Sequence, residues 1–519
     1  MADFSGVADL LGRAAAEHPD KRALVEGGGR TRTWGELDDD VHRFTAGLGA
    51  AGLVAGYRVM IVLGNRIEFV VAYLGILRSQ TVAVPVNPRS SVDELNRMLA
   101  DSGARMVIAD PDTVLAVRAA VAQLPEEGLR PRVVVVGATL QPGERSWDHL
   151  VASHGAAIPE VRDSESLAAL LYTSGTSGRP RAAMLSHRAL LANVEQVAAI
   201  EPPMIGPQDI VLGVLPLFHV YGLNAMLGVV LRQGACLVLL ERFDPQSALD
   251  LIAAEQCTVV PVAPPVFAHW LPIEDLGSRL GSVRLMLCGS APLSPEVADR
   301  FTAATSIPVH QGYGLTEAAP VVTSTLCSDQ VQSGSVGAAL PGVSIRLVDD
   351  DGRAPEGGDP GEILIAGDNL FSGYWPDGTE GPDAEGWWAT GDVGFLDPSG
   401  DLFLVDRIKE LVIVSGFNVY PSEVEDVIRE VDGVDGAAVI GVADELTGEA
   451  VVAYVTGADP DDHLVDLVRA HCAVRLARFK QPSRVELVEE LPLTGTGKVQ
   501  KGRLRAAERR RGVPLLEDE

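Results

Sequence analysis

The feature that most restricts this chain is an alternation through about the first 320 residues: short apolar runs of strand length interleaved with amphipathic stretches of helical period. Arg58–Leu63, Val82–Val86, Met106–Ala109 and Val133–Val136 read as strands. Helices are expected over Glu68–Arg78 and over Ser91–Leu99, where Ser91 can cap the first turn. Ile210–Leu215, Cys236–Leu240, Thr258–Val262 and Val283–Leu287 continue the series. Apolar strands separated by helices belong to parallel sheets covered by those helices. The spacing has no fixed period and is too irregular for a simple barrel.

Beyond Ser335 the texture changes. Val343–Val348 and Gly361–Ala366 flank Asp349-Asp-Asp-Gly352, while Gly394–Asp397 and Asp401–Asp406 flank Pro398-Ser-Gly400, as in a small antiparallel unit. A third texture follows the polar stretch Asp406-Arg-Ile-Lys-Glu410. Its strands are Leu411–Val414, Ala437–Val442, Ala450–Val455 and Val485–Val488, and its helices Pro421–Arg429 and His463–Val474. The expected fold class is α/β: a large N-terminal domain (residues 1–406) of helix-covered sheets plus the small antiparallel β unit, then a small α+β C-terminal domain (residues 407–519).

Charge narrows the function classes. Asp plus Glu number 71 against 42 Lys plus Arg, a formal net charge of −29, which repels phosphate backbones and anionic headgroups. Nucleic acid is therefore not an expected partner. No apolar run reaches about 18 residues, so no integral membrane association is expected. Met1–Leu11 carries no basic cluster of the signal-peptide kind. Cys236, Cys257, Cys288, Cys327 and Cys472 are odd in number and form no C-x-x-C pair, which argues for reduced thiols and a cytoplasmic protein. A homodimer remains open. Lysine is rare and skewed: Lys409, Lys480, Lys498 and Lys501 lie near the C-terminus, with Lys21 the remaining one.

The most informative loop is Leu170-Leu-Tyr-Thr-Ser-Gly-Thr-Ser-Gly-Arg-Pro-Arg181. An apolar strand runs into Thr173, Ser174, Gly175, Thr176, Ser177 and Gly178, followed by Arg179 and Arg181. Glycines let backbone N–H groups turn inward, hydroxyls add donors, and arginines add bidentate charged bonds, so the loop suits a phosphate. It is not the P-loop, because Gly497-Lys498 is followed by Val499. Ser186 caps the next helix, so its neighbour His187 needs no catalytic role.

This loop resembles the phosphate loop of adenylate-forming enzymes, the superfamily of acyl-CoA synthetases, peptide-synthetase adenylation domains and luciferases. Four more elements match in order: Gln311-Gly-Tyr-Gly-Leu-Thr-Glu317, Trp388-Ala-Thr-Gly-Asp392, Asp406–Gly416 and Leu493-Thr-Gly-Thr-Gly-Lys498. The resemblance implies an AMP-forming acyl-CoA synthetase using ATP and Mg²⁺, with CoA as co-substrate and a hydrophobic carboxylic acid, fatty acids before aryl acids. It implies that Tyr313 stacks on adenine opposite the wall Gly289-Ser290-Ala291, within the segment Gln311-Gly312-Tyr313-Gly314. Thr316 would meet the α-phosphate, Glu317 would bind Mg²⁺ as a hard oxygen ligand, and Asp392 with Arg407 would hold the ribose. Lys498 would bridge the carboxylate and the α-phosphate, and Lys409 would be the pivot that makes the small domain mobile.

Val214-Leu-Pro-Leu-Phe-His-Val-Tyr-Gly222 resembles the acyl-side segment of acyl- and aryl-CoA ligases. Amino-acid-activating relatives carry Asp where this chain has His219, and an ammonium unpaired in an apolar pocket is costly, which disfavours α-amino acids. His219 is expected on the carboxylate and thiol path with Ser415, Gly416 and Phe417. Val220, Tyr221, Gly222, Val262 and Cys288 are expected to line the acyl pocket, with Cys288 a wall residue. The phosphate loop departs from the usual Pro-Lys-Gly at Pro180-Arg181-Ala182, consistent with the Arg bias. Carrier-protein loading is the alternative to CoA; the insertion common in such ligases has no obvious room between Asp392 and Lys409. A catalytically dead nucleotide sensor is disfavoured by the retained Thr316, Glu317, Asp392, Arg407 and Lys498, and nothing specific favours a luciferase-like enzyme.

Overall fold

The computed structural model describes the chain except residues 1–3, 28, 126–129, 153–162, 175–179, 291–292, 294, 350–351, 356–360, 408–411, 420, 458–461, 493–498, 500, 502–503, 506–507 and 509–519. Two compact units are present. The first comprises Met1–Pro88, Leu95–Tyr172 and Ala182–Asp406; the second comprises Arg89–Glu94, Thr173–Arg181 and Arg407–Glu519.

The alternation through about the first 320 residues resolves into two sheets. A seven-stranded sheet carries Arg58–Val62, flanked in parallel by Val82–Pro85 and Met106–Ala109. A nine-stranded sheet carries, as neighbours, Cys236–Leu239, Ile210–Gly213, Val259–Val262, Leu285–Cys288 and Val309–Gly314, all parallel. Its margins are antiparallel: Arg30–Thr33 pairs with Arg22–Glu26, and Val321–Ser324 with Val309–Gly314. The all-apolar strands are buried throughout, as expected where helices cover both faces. Helix Ile67–Arg78 is buried on nearly every side, which explains its unbroken apolar stretch from Phe69 to Leu77.

One hydrophobic core runs through residues of both sheets, including Leu24, Leu237, Ile61 and Ile108, and a second packs Phe267, Trp270 and Phe301 beside Val260 and Met286. The expected caps form. Ser91 Oγ accepts the Glu94 amide at 3.2 Å, and Ser186 Oγ accepts that of Ala189 at 3.1 Å.

The antiparallel unit is a four-stranded sheet containing Ser344–Val348, Gly361–Ala366, Trp387–Leu396 and Leu402–Arg407 in that order. The third strand begins at Trp387, well before the expected Gly394, so Asp392 lies inside it. Strand Ile210–Gly213 is shorter than expected for a side-chain reason. Buried Asn65 donates to the carbonyls of Gly213 (2.9 Å) and Leu215 (2.8 Å) and accepts the Leu217 amide (2.9 Å), bending the chain off the sheet.

In the second unit, a five-stranded sheet includes the long hairpin Val434–Asp444 and Gly448–Gly457, with Arg484–Leu487 parallel to its second strand. Helices Pro421–Arg429 and Asp462–Arg475 contribute to the core beside Val439, Val451 and Val455.

Candidate active site

Ligands of open α/β sheets collect beyond the carboxyl ends of the parallel strands. Three expected site residues line up there in register: Val262 and Cys288, each the last residue of its strand, pair with each other, and Cys288 pairs with Gln311, inside the strand Val309–Gly314. Gly289 follows Cys288 immediately. A Cβ at this position would lie 2.9 Å from the Tyr221 ring, so Tyr221 rests against the bare Gly289 backbone. Ser290 then takes a left-handed conformation, φ 73°, which turns the chain away from the strand direction. Cys288 is buried and its thiol is pushed upward by desolvation, consistent with a wall residue and not a nucleophile.

His219 sits two residues beyond the segment clamped by Asn65. Its Nδ1 accepts the Tyr221 amide at 3.3 Å, which leaves the neutral ring's proton on Nε2. Desolvation lowers its pKa from 6.5 to about 4, so the ring is neutral at pH 7. The chain continues as a π-helix, Tyr221–Gly228, a form that is rare and concentrated at functional sites. Gly222 is required here, because a Cβ would come within 2.3 Å of the Pro216 carbonyl oxygen. Val220 is buried, and Tyr221 keeps part of its surface open.

The strand carrying Gln311, Gly312, Tyr313 and Gly314 leads into a short 3₁₀ turn, Thr316–Ala318. Tyr313 is buried, and its hydroxyl donates to Asp392 Oδ2 at 2.7 Å. That bond joins the nine-stranded sheet to the four-stranded one, and brings together the residues expected at adenine and ribose. Thr316 is partly buried; Glu317 is buried, with its Oε1 accepting the Tyr374 hydroxyl at 2.5 Å.

Four buried amides hold this turn. Asn369 donates to the Ala318 carbonyl (2.7 Å), Asn224 to that of Ala319 (2.7 Å), and Asn193 to that of Val321 (2.8 Å). Asn193 also donates to Gln196 (3.1 Å), which donates to Asn369 (3.3 Å). Asn224 lies within the π-helix, so one element presents Tyr221 at one end and grips the Glu317 turn further along. Sequence reading missed Tyr374 and these amides. The signal available was a lone amide in an apolar run, as at Asn224 within Tyr221–Leu231, since a buried amide demands partners.

In the second unit, Ser415 (φ 52°) and Gly416 (φ 81°) form the two-residue turn of a hairpin between Val412–Val414 and Phe417–Val419. Ser415 donates its amide to the Thr447 carbonyl at 2.7 Å, and Phe417 stacks on Phe479 at 4.6 Å. Thr173 Oγ1 donates to the Arg181 carbonyl at 3.4 Å. Gly175, Thr176, Ser177, Gly178, Arg179, Ala291, Lys409 and Lys498 lie outside the described residues, as do the side chains of Ser174 and Arg407.

Comparison with known proteins identifies the family. Residues 11–375 match the AMP-binding enzyme family, and residues 423–498 match the AMP-binding enzyme C-terminal domain. This chain belongs to the AMP-binding enzyme family. It is 34% identical to 4-coumarate–CoA ligase 5 of Oryza sativa subsp. japonica, covering 98% of this chain and 95% of that one. It is 33% identical to a long-chain-fatty-acid–CoA ligase of Salmonella typhimurium, covering 97% and 94%. Among solved structures, the amide bond synthetase McbA from Marinactinospora thermotolerans superposes with a TM-score of 0.84 at 27% identity, covering 97% of this chain and 99% of that one.

For an AMP-binding enzyme the metal chemistry must suit a nucleotide. Among the described residues no cluster of three or more His, Cys, Asp or Glu could hold a metal ion by itself. A single buried carboxylate, Glu317, next in sequence to Thr316, suits Mg²⁺, which binds through one or two carboxylates and takes its other ligands from phosphates and water. No described helix is long and apolar enough to cross a membrane.

Proposed function

We propose that this protein is an ATP-dependent, AMP-forming acid–thiol ligase that activates a hydrophobic carboxylic acid and transfers it to CoA in the cytoplasm. The observation that carries the reading is the register of Val262, Cys288 and Gln311 across neighbouring parallel strands, on the strand that leads into Tyr313–Asp392 and the Glu317 turn, in a member of the AMP-binding enzyme family. The acid's carboxylate attacks the α-phosphate of ATP, giving acyl-adenylate and pyrophosphate. The CoA thiol then attacks the acyl carbon, and AMP leaves.

Each residue has a place in that sequence. Gln311, Tyr313 and Asp392 hold the nucleoside. Thr316, Arg181 and the loop from Thr173 to Arg179 hold phosphates. Mg²⁺ held by Glu317 would neutralise phosphate charge. Neutral His219, with its proton on Nε2, donates to the substrate carboxylate. Lys498 bridges carboxylate and α-phosphate as charge develops there. The hairpin tip Ser415–Gly416–Phe417 offers a narrow passage for pantetheine, since Gly416 has no side chain.

Two acid classes suit the pocket. A fatty acid is the first reading, supported by apolar Val220, Val262 and Cys288 and by the similarity to a long-chain-fatty-acid–CoA ligase. An aryl acid is the second, favoured by the Tyr221 ring laid against Gly289, which supplies a flat wall, and by the similarity to 4-coumarate–CoA ligase 5.

AMP release measured with short, medium, long and aromatic acids, with and without CoA, tests the whole reading. The expected result is acid-dependent AMP release that needs CoA for turnover. Absence of both AMP and acyl-adenylate with every acid would sink it. Acyl-adenylate without thioester would move the acceptor to a carrier-protein pantetheine.

A further inference from the structure

We propose that Tyr374 is a positioning residue for the Glu317 carboxylate, fixing it in the orientation that receives the metal–nucleotide complex; this rests on the role given to Glu317 above. The Tyr374 hydroxyl donates to Glu317 Oε1 at 2.5 Å, at the short end of the range for a hydroxyl bonded to an ionised carboxylate. Both residues are buried, Tyr374 at 8% and Glu317 at 9% exposure, so water competes little for either partner.

The tyrosine is itself held on every side. Its ring packs edge-on against Phe371 at 5.0 Å, and Phe371 packs edge-on against Trp388 at 5.2 Å. The Trp388 indole donates to the Glu380 carbonyl at 2.9 Å. The Tyr374 amide donates to the Thr379 carbonyl (3.0 Å), and its carbonyl accepts the Gly378 amide (2.8 Å). The turn that allows this is tight: Gly373 sits at φ 93°, and a Cβ there would fall 2.1 Å from the Gly378 carbonyl oxygen.

The same segment grips the backbone of Glu317. The Phe371 amide donates to the Glu317 carbonyl at 2.9 Å, so residues 371–374 hold both the main chain and the side chain of that acid. Ser372 and Trp375 in turn donate their amides to Met184 and Ala182, each at 2.9 Å, anchoring the segment to the strand Pro180–Ser186. The Tyr374 bond favours one orientation of the Glu317 carboxylate. Residues that orient a metal ligand in this way typically change metal affinity about 10–100-fold when lost.

The test is Tyr374→Phe, which removes one oxygen and keeps the ring. Binding of Mn²⁺·ATP, followed by the electron paramagnetic resonance of Mn²⁺, is compared with binding of ATP in excess chelator by calorimetry. The expected result is a loss of about 10-fold or more for Mn²⁺·ATP, with metal-free ATP unchanged. Thioester formation from supplied acyl-adenylate should also be unchanged, because the phosphates that carry the metal have left by then. Tyr374→Phe in a Glu317→Gln background should cause no further loss, since the two residues act as one unit.

Equal weakening of metal-bound and metal-free ATP, or no weakening of either, overturns the positioning role. A Glu317→Gln variant with Tyr374 intact that keeps the preference for Mn²⁺·ATP overturns the metal role of Glu317 instead, so the two failures are distinguishable. Should Tyr374→Phe fold poorly, 3,5-difluorotyrosine at 374 keeps the ring and retunes the same O–H donor. A metal preference that does not respond to it also overturns the proposal.

Discussion

At the residue scale, the lysines separate into two kinds. Lys480 and Lys501 have no role legible in the sequence, and the structure supplies one within the second unit. Lys480 lies between Glu423 and Glu94, each at 2.9 Å; burial pulls its ammonium down, and the two carboxylates more than offset that and hold it charged. Lys501 pairs with Glu425 at 2.6 Å. Partners so far apart in sequence leave no spacing signal. His219 yields a pH prediction. Its pKa falls from 6.5 to about 4 on folding, so between those values the folded state binds fewer protons than the unfolded. Its contribution is present above pH 6.5 and is lost as the pH falls toward 4. His187 and His310, lowered by burial, act in the same direction. Urea midpoints taken between pH 7 and pH 4.5 should fall with acidification, less steeply in His219→Gln. An unchanged slope in that variant would remove His219 as a source.

At the element scale, the π-helix Tyr221–Gly228 and the buried amides form one device. The extra residue in its turn combines a Tyr221 ring set on Gly289 with an Asn224 amide set on Ala319. Asn369→Ala should therefore be costly. It strands the Ala318 carbonyl and the Gln196 amide in a dry site, and each unpaired buried group is worth about 1–3 kcal/mol. Equilibrium urea unfolding should show a loss of that order, with acyl-adenylate formation reduced as the Glu317 turn loosens. A loss below about 0.5 kcal/mol, the usual size for a neutral surface change, would mean that the network carries little of the turn's stability.

At the scale of the whole molecule, the acidic surplus and the anionic substrate must be reconciled. A net charge of −29 repels polyanions at long range, while the basic groups assigned to ATP are local, in the loop ending at Arg181 and at Lys498. The proposed reaction has two halves, which should separate by mutation. Lys498→Ala should lower acid-dependent pyrophosphate exchange by about 10²–10³, the usual cost of losing one preorganised charge-stabilising donor. Thioester formation from supplied acyl-adenylate should persist. Loss of both halves alike, followed by separate assays on one preparation, would contradict a lysine confined to the first half.

The sequence by itself determined the parallel helix-covered sheets, the antiparallel unit beyond Ser335 and the order of the motif-bearing loops, because hydrophobic period, turn residues and local caps are properties of neighbouring residues. It also pointed to Tyr313, Glu317, Asp392 and His219 individually. Tertiary structure alone decided how they are held: Tyr313 on Asp392, Tyr374 on Glu317, Tyr221 against Gly289, and Asn65 bending the chain toward His219. Those contacts join residues tens to hundreds of positions apart. Their bonds are fixed by sheet register and by the need of buried polar groups for partners, neither of which leaves a local pattern to read.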